Sequence, residues 1–207
     1  MDFETRVDQT IADAIDNQRI VGAVTIIARD GEIIYRKAAG HFDREAGTPM
    51  FPEAIFRLAS VTKPLVAATA LAMIERKLLG LENAVSDHLP WFRPKLADGR
   101  VPKITIRQLL NHTSGISYDY PKVPGLTSGL QPTDMSLEEN FTLWAKEVPL
   151  AFEPGTGWAY GPNTDVLGAV IESIHSSSLH DALKHYVIDP LEMTDTGFFV
   201  TDKARLA

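Results

Sequence analysis

The chain has 207 residues, of which 44% are hydrophobic and 23% charged, with 14 glycines and 13 prolines. These values are typical of a soluble globular protein and exclude a disordered chain, a collagen and a coiled coil. The formal net charge is −7 and the acidic residues are scattered, so nucleic acid and anionic lipid are not expected partners. The absence of cysteine excludes disulfides, a thiolate nucleophile and cysteine-bound metals.

The first part of the chain predicts a helix followed by a β-hairpin. Apolar residues recur every three or four positions from 3 to 18, which is the pattern of an amphipathic helix. A β-branched run from 21 to 28, the turn signal Asp30-Gly31 and a second strand from 32 to 38 predict an antiparallel hairpin. Two strands alone are only marginally stable and leave open edges.

The segment from 60 to 79 is apolar and predicts a buried helix closed by a Gly80 cap. Pro64 fits only near the first turn of that helix, because it lacks the N–H that an interior position must donate. Ser60 is therefore expected at or beside the helix start. A short helix is predicted from 106 to 111.

Residues 116 to 135 are rich in proline and glycine, and their length favours a lid or a cleft wall. Ser136 and Glu139 form a capping box that opens a helix reaching about residue 146. Another amphipathic helix is predicted from 165 to 176.

Ser60 and Lys63 form an S-x-x-K pattern at the mouth of the apolar helix. A spacing of three places the hydroxyl and the amine on one helical face. A serine becomes a nucleophile when a base takes its proton, and an amine can be that base when burial disfavours its charged form. The Ser60 backbone N–H, at the positive end of the helix dipole, could bind an oxyanion. The alternative is a cap serine beside a surface lysine.

Tyr160 lies at a loop-to-helix junction, where its hydroxyl could relay protons between Ser60, Lys63 and a leaving group. Alternatively it is a half-buried aromatic residue with its hydroxyl in water. His112 sits in a helix-breaking turn and is as suited to satisfying backbone groups as to acting as a base.

Other catalytic patterns are missing from the sequence. His175, His180 and His185 are spaced by five, which spreads them around a helix, and no H-E-x-x-H is present. The chain has no G-x-S-x-G elbow and no G-x-x-x-x-G-K phosphate loop, which argues against α/β-hydrolase and nucleotide-binding functions. We therefore expect no metal and no cofactor.

Five segments together resemble the penicillin-recognising serine hydrolases, and within them the class C β-lactamase and family VIII carboxylesterase branch. They are Phe56 to Lys63, Gln108 to Ile116, Trp158-Ala159-Tyr160, Asp165 to Gly168 and Pro190 to Phe198, in the family's order. The resemblance implies an α/β (α+β) fold of the β-lactamase/transpeptidase type, with an antiparallel sheet and helices. It also implies Ser60 as the acylated nucleophile, Lys63 as its base and Tyr160 as the proton donor to the leaving group.

Two departures from the family pattern matter for function. The branch usually reads Y-x-N, but Pro162 stands at the third position here, and Asn163, one place late, cannot be assumed to replace the amide that contacts a β-lactam. This favours the esterase-like members. The His112 to Gly115 turn (H-T-S-G) looks structural in the family.

The second departure is length. Family members continue with three further strands, one of which bears K-T-G, H-x-G or W-x-G and gives the second oxyanion N–H; nothing here matches it. We therefore expect a fold that is incomplete without its C-terminal strands. Residues 1–60 would give the helix and hairpin of the α/β domain, and 61–207 a mainly helical region with the catalytic cleft. A C-terminal segment or a second chain would complete the sheet.

The leading hypothesis is a serine hydrolase that forms an acyl-enzyme with a small carboxylic ester. The alternatives are a β-lactamase or DD-peptidase with a β-lactam or amide substrate, and a non-catalytic ligand-binding relative. The apolar stretches are too short for a membrane span and the N-terminus does not resemble a leader, so a cytoplasmic location is expected.

Overall fold

The computed structural model describes residues 1–120, 122–126 and 135–207. The chain forms two compact units, one of residues 1–59 with 199–207 and the other of residues 60–198. The predicted domain division at residue 60 stays a prediction. It differs from these units in the placement of residues 199–207, which lie with the N-terminal segment.

The first unit begins with the predicted helix and hairpin. Helix α1 (Phe3–Asp16) starts at Asp2, whose carboxylate accepts a hydrogen bond from the Thr5 N–H at 2.8 Å. Strands β1 (Gly22–Arg29) and β2 (Glu32–Asp43) pair antiparallel. The turn residues Asp30 and Gly31 both have positive φ, as a type I′ hairpin turn requires. The hairpin prediction is confirmed.

The sheet has a third, very short strand that the sequence did not predict. Strand β3 (Thr48–Pro49) pairs antiparallel with β2, and the strand order is β1-β2-β3. Ile55 also forms a parallel bridge with Leu206, which ties residues 199–207 to this unit. A two-residue strand and a single bridge are too short to leave a period in the sequence.

The helices of the second unit follow a 3₁₀ turn at Ala59–Val61. They are α2 (Thr62–Glu75), α3 (Val85–His88), α4 (Ile106–Leu110), α5 (Leu137–Glu147), α6 (Asn163–His175) and α7 (Leu179–Leu183). A π-helical turn, Lys184–Ile188, continues α7. The predicted capping box of Ser136 and Glu139 opens α5.

Helix α6 is the centre of the second unit. It contacts α2, α3, α4, α5 and α7. Its Val166, Val170 and Ile171 are fully buried, together with Trp144 of α5 and Met73 of α2. Because α6 is enclosed by other helices, its N-terminal end is held in a fixed position, and the segment that carries Tyr160 leads directly into it.

The predicted Gly80 cap of α2 is wrong. The helix ends at Glu75, and Lys77 adopts the left-handed conformation with φ +59°. The Lys77 N–H donates to the Ile74 carbonyl at 2.9 Å and the Leu78 N–H donates to the Met73 carbonyl at 3.0 Å. This is a Schellman ending that uses a lysine where glycine is commoner, so the glycine signal misplaced the end of the helix.

The predicted lid or cleft wall at 116–135 lies partly outside the described residues, since 121 and 127–134 are not described. In the part that is described, Tyr120, Val123 and Leu126 pack against the core. Within the described ranges, no helix combines the length and apolarity needed to cross a bilayer.

Candidate active site

Ser60 and Lys63 meet where the 3₁₀ turn passes into α2. Ser60 lies in the turn, ahead of the first residue of α2, and Pro64 occupies the first turn of the helix as predicted. The Lys63 Nζ donates to the Ser60 Oγ at 3.3 Å. The spacing of three thus places amine and hydroxyl on one side of the chain.

The residue before the nucleophile candidate has an unusual backbone conformation. Ala59 has φ +46°, in the left-handed region that residues other than glycine rarely occupy. Such conformations cost roughly 1–3 kcal/mol and collect at functional sites. The strained residue therefore stands directly before Ser60 in the chain.

Tyr160 reaches the same point from the loop before α6. Its hydroxyl donates to the Ser60 Oγ at 3.0 Å, and the Lys63 Nζ lies 5.0 Å from the centre of its ring. Ser60 is exposed, Lys63 half-buried and Tyr160 43% exposed. All three predicted site residues are brought together, and the serine hydroxyl is open to a solute.

Hydrogen bonds, burial and charge shift the pKa values of two groups of the cluster, Tyr160 and Asp165. Hydrogen bonding with Ser60, and then with Lys63, lowers the pKa of the Tyr160 phenol. Burial raises the pKa of Asp165, which the positive charge of Lys63 opposes. The positive charge of Lys63 therefore acts in the same direction on both acids, lowering the pKa of the Tyr160 phenol and opposing the rise at Asp165.

Two aromatic neighbours of Tyr160 were not predicted as site residues. The His112 ring lies 5.2 Å from the Tyr160 ring, and the Tyr118 ring lies 5.7 Å from it. Burial raises the pKa of Tyr118 to about 12, so this phenol stays protonated. The H-T-S-G turn was the only sequence signal for either residue, and its spacing does not indicate a role.

Asn163 does not take the place of the amide missing at Pro162. Its side chain is completely buried, where it accepts from the Ser114 hydroxyl and binds the His112 Nδ1 at 3.0 Å and the Ile116 carbonyl at 3.3 Å. Both ends of the amide are therefore occupied by the protein. Asn163 therefore binds the chain segment from His112 to Ile116 and has no free amide for a ligand.

The other histidines are arranged differently from the expectation. His175 and His185 are not spread apart, because the end of α6 and the π-helical turn bring their rings within 5.7 Å. In the described part of the chain, no three or more His, Asp or Glu side chains are grouped as metal ligands.

Comparison with known proteins identifies the family of this chain. A family model described as Beta-lactamase matches residues 7–207. Esterase EstB of Burkholderia gladioli is 45% identical over 98% of this chain and 53% of its own length. A lovastatin esterase of Penicillium rubens is 33% identical over 97% of this chain and 54% of its own length.

Solved structures give the same result for the fold. The structure described as "EstCE1, a hydrolase with promiscuous acyltransferase activity" superposes with a TM-score of 0.94 and 43% identity, covering 99% of this chain and 55% of its own. The fold is of the β-lactamase/transpeptidase type, and the chain spans about half the length of the relatives it matches. The resemblance of the sequence motifs is confirmed: the chain belongs to the Beta-lactamase family.

Proposed function

We propose that this chain carries the nucleophile of a serine hydrolase that cleaves carboxylic esters through an acyl-enzyme. The observation that carries the proposal is the contact of two proton-transferring groups with one exposed hydroxyl. The Ser60 Oγ lies 3.3 Å from the Lys63 Nζ and 3.0 Å from the Tyr160 hydroxyl. A serine held in this way meets the requirements for nucleophilic catalysis.

The acylation step follows from these contacts. In the resting arrangement both neighbours donate to Ser60, so Lys63 must be neutral, or Tyr160 ionised, before Ser60 can lose its proton. The Ser60 Oγ then bonds to the ester carbonyl carbon and its proton passes to that base. Tyr160 delivers a proton to the departing alkoxide as the ester C–O bond breaks. In the second half Tyr160, now deprotonated, takes a proton from water as the water oxygen bonds to the acyl carbon. The bond from the Ser60 Oγ to that carbon then breaks, Ser60 regains a proton from the base that holds it, and the carboxylic acid leaves.

The developing oxyanion needs hydrogen-bond donors. The Ser60 backbone N–H is the proposed first donor, and the second would come from a strand outside this sequence. Removing one donor raises the barrier by about 2.7–4 kcal/mol, so the second donor strongly affects turnover. Separately, β1 pairs on one side only in the described residues, with β2, which leaves an open edge to which a further strand could add. We propose a C-terminal segment or a second chain there.

An ester substrate is favoured over a β-lactam by the site itself. Pro162 cannot supply a side-chain amide, and the Asn163 amide is consumed in the buried network. The relatives called esterases support the same choice. We therefore expect p-nitrophenyl butyrate to be hydrolysed, with slower turnover or none for nitrocefin.

Labelling the nucleophile tests the proposal. The protein is treated with a fluorophosphonate probe and the labelled peptide is identified by mass spectrometry. We expect the probe on Ser60, and we expect Ser60→Ala to lower ester hydrolysis by more than about 10³-fold, because the nucleophile is removed. A Ser86→Ala control should keep both labelling and activity.

Two results would count against the proposal. Label on another serine, or full activity in a folded Ser60→Ala variant, would move the nucleophile elsewhere. A folded wild-type protein that binds esters without labelling would support the non-catalytic alternative.

A further inference from the structure

The chain segment from His112 to Tyr118 clamps the segment that carries Tyr160. The Ala159 N–H donates to the His112 carbonyl at 3.1 Å, and the Tyr118 N–H donates to the Tyr160 carbonyl at 3.3 Å. These backbone bonds lie on either side of Tyr160. The position of its hydroxyl therefore depends on how firmly the His112 turn is held.

Buried side-chain bonds hold that turn. The Ile116 N–H donates to the Ser114 Oγ at 3.1 Å, and the Ser114 hydroxyl donates to the Asn163 Oδ1. The Asn163 Nδ2 lies 3.3 Å from the Ile116 carbonyl and 3.0 Å from the His112 Nδ1. Ser114 and Asn163 are both completely buried, so no water can replace a lost partner.

The direction of every hydrogen bond in this network is fixed by backbone groups that can only donate or only accept. The Ile116 carbonyl only accepts, so the amide atom facing it must be the nitrogen of Asn163. The Asn163 oxygen then faces Ser114, whose hydroxyl is free to donate because its oxygen already accepts from the Ile116 N–H. The second amide hydrogen points at the His112 Nδ1, which must accept it.

From this polarity we propose that His112 is a positioning residue that works only as the neutral imidazole with its proton on Nε2, holding the Tyr160 hydroxyl on Ser60. The inference rests on the proposed hydrolase function for its effect on catalysis, but the tautomer follows from the hydrogen bonds alone.

Protonation of His112 breaks the network. An Nδ1–H would face the Asn163 N–H at 3.0 Å, so two donors would oppose each other inside the protein. Lys63 adds its positive charge from α2, and among the described residues the aromatic rings of Tyr160 and Trp158 also face the imidazole. Burial, and then the charge of Lys63, lowers the pKa of His112 below 6.5.

The sign of the pH effect follows. The pKa of His112 is lower in the folded protein than in the unfolded chain, so the network is intact at any pH above the unfolded-state pKa. The network is lost as the pH falls through the folded-state pKa of His112. We expect the rate of Ser60 labelling to drop in that acid range.

Nuclear magnetic resonance of ¹⁵N-labelled protein tests the tautomer without any mutation. Long-range ¹H–¹⁵N correlations at neutral pH should show His112 with a bare Nδ1 and a protonated Nε2. A protonated Nδ1 would overturn the inference whether or not the protein is active.

Asn163→Asp tests the polarity. A carboxylate at position 163 has no hydrogen to give, so the His112 Nδ1 should become the proton-bearing atom and the ring should titrate at a higher pH. We expect the acid drop in Ser60 labelling to move upward with that titration, and labelling at neutral pH to fall at least about tenfold.

Asn140→Asp is the matched control, because Asn140 is a buried asparagine of α5. It introduces the same change in the same unit, and it should leave the tautomer and the pH profile of labelling unchanged. In Asn163→Asp, the titration of the His112 ring could shift while the pH dependence of Ser60 labelling stays unchanged. That result would show that His112 does not position Tyr160. Absence of Ser60 labelling at every pH in the wild type would instead refute the hydrolase function and leave the tautomer test intact.

Discussion

Gly161, the residue after Tyr160, allows two chain segments to approach closely. A Cβ at this position would lie 2.5 Å from the Ile116 carbonyl oxygen and 2.8 Å from the Ser117 Cα. Both are backbone atoms, which cannot rotate away as a side chain does. The close approach keeps the backbone of Tyr160 against the turn described above.

Gly161→Ala should therefore displace Tyr160. We expect ester hydrolysis to fall by roughly 10²-fold, since displacements of about 1 Å at a reacting group have that effect. Stability should fall by about 1–3 kcal/mol through overpacking. Steady-state kinetics and urea unfolding measure the two effects.

Gly99→Ala is the control for this substitution. Gly99 has a φ of +87°, whereas Gly161 has no positive φ, and nothing lies within 4 Å of the Cβ position of Gly99. It should lose stability by about 1 kcal/mol and keep its activity per folded molecule. Equal activity losses in both variants would show that the close approach to Ile116 is not the cause.

Asp165 makes stability depend on pH. Burial raises its pKa above the ordinary 3.8, although Lys63 acts against the rise. The stability that Asp165 contributes is present below its unfolded-state pKa and is lost as the pH rises through its folded-state pKa. Asp165→Asn should thus raise the melting temperature at about pH 7 and change it little near about pH 4.

Melting curves at both pH values check this prediction. Asp119→Asn, at an exposed position near the site, should shift the melting temperature little at either pH. A stabilisation by Asp165→Asn that is the same at both pH values would show that desolvation of its charge is not the cause.

At this scale the sequence predicted which residues would lie together better than how they are held in place. The spacing of Ser60 and Lys63 and the motif around Tyr160 were enough to nominate the cluster. The burial of Asn163 could not be predicted, because an asparagine beside Pro162 is equally consistent with a surface cap.

At the scale of elements, α6 is the helix on which the second unit is built. Leu167 on α6 is only 1% exposed, and it lies between residues that are themselves buried. Its side chain has no route to solvent, so any cavity left by truncation stays enclosed by packed helices.

Leu167→Ala should lower the free energy of unfolding by about 2–5 kcal/mol, which combines lost burial with the cost of a cavity. Leu71→Ala on α2 provides the comparison, because that leucine is 52% exposed and should change stability by less than about 1 kcal/mol. Denaturant unfolding at equilibrium measures both. A smaller effect at Leu167 than at Leu71 would contradict the central position of α6.

Local signals predicted elements well where they were long. Helices α1, α5 and α6 and the hairpin were found from periodicity, caps and a turn dipeptide. The end of α2 was misplaced because its left-handed residue is Lys77, and lysine gives no signal for that conformation. Strand β3 is stabilised by pairing with β2, a contact that no local window contains.

At the scale of the whole molecule, the packing predicts a hierarchy of local stability. Amides in α6 are enclosed by packed helices, whereas β1 has one unpaired edge in the described residues. Hydrogen exchange is slowest where opening requires global unfolding. We expect the slowest-exchanging amides at Val166 to Ile171, and faster exchange along the outer edge of β1 when no further strand is paired with it.

Exchange monitored by mass spectrometry or by nuclear magnetic resonance tests this order. The N-terminal turn of α1, which ends in water, provides an internal reference for rapid fraying. Exchange in α6 as fast as in that turn would contradict the proposed organisation of the core.

The sequence by itself determined the family, the main helices and the hairpin, and it nominated the residues of the candidate site, because these depend on residue types at short spacings. Only the tertiary structure decided that Tyr160 meets Ser60, 100 positions apart in the chain. It also decided that the polar residues of the H-T-S-G turn and Asn163 are partners in one buried network. Long-range contacts of this kind depend on how separate segments pack, and packing is a property of the whole chain that no local pattern records.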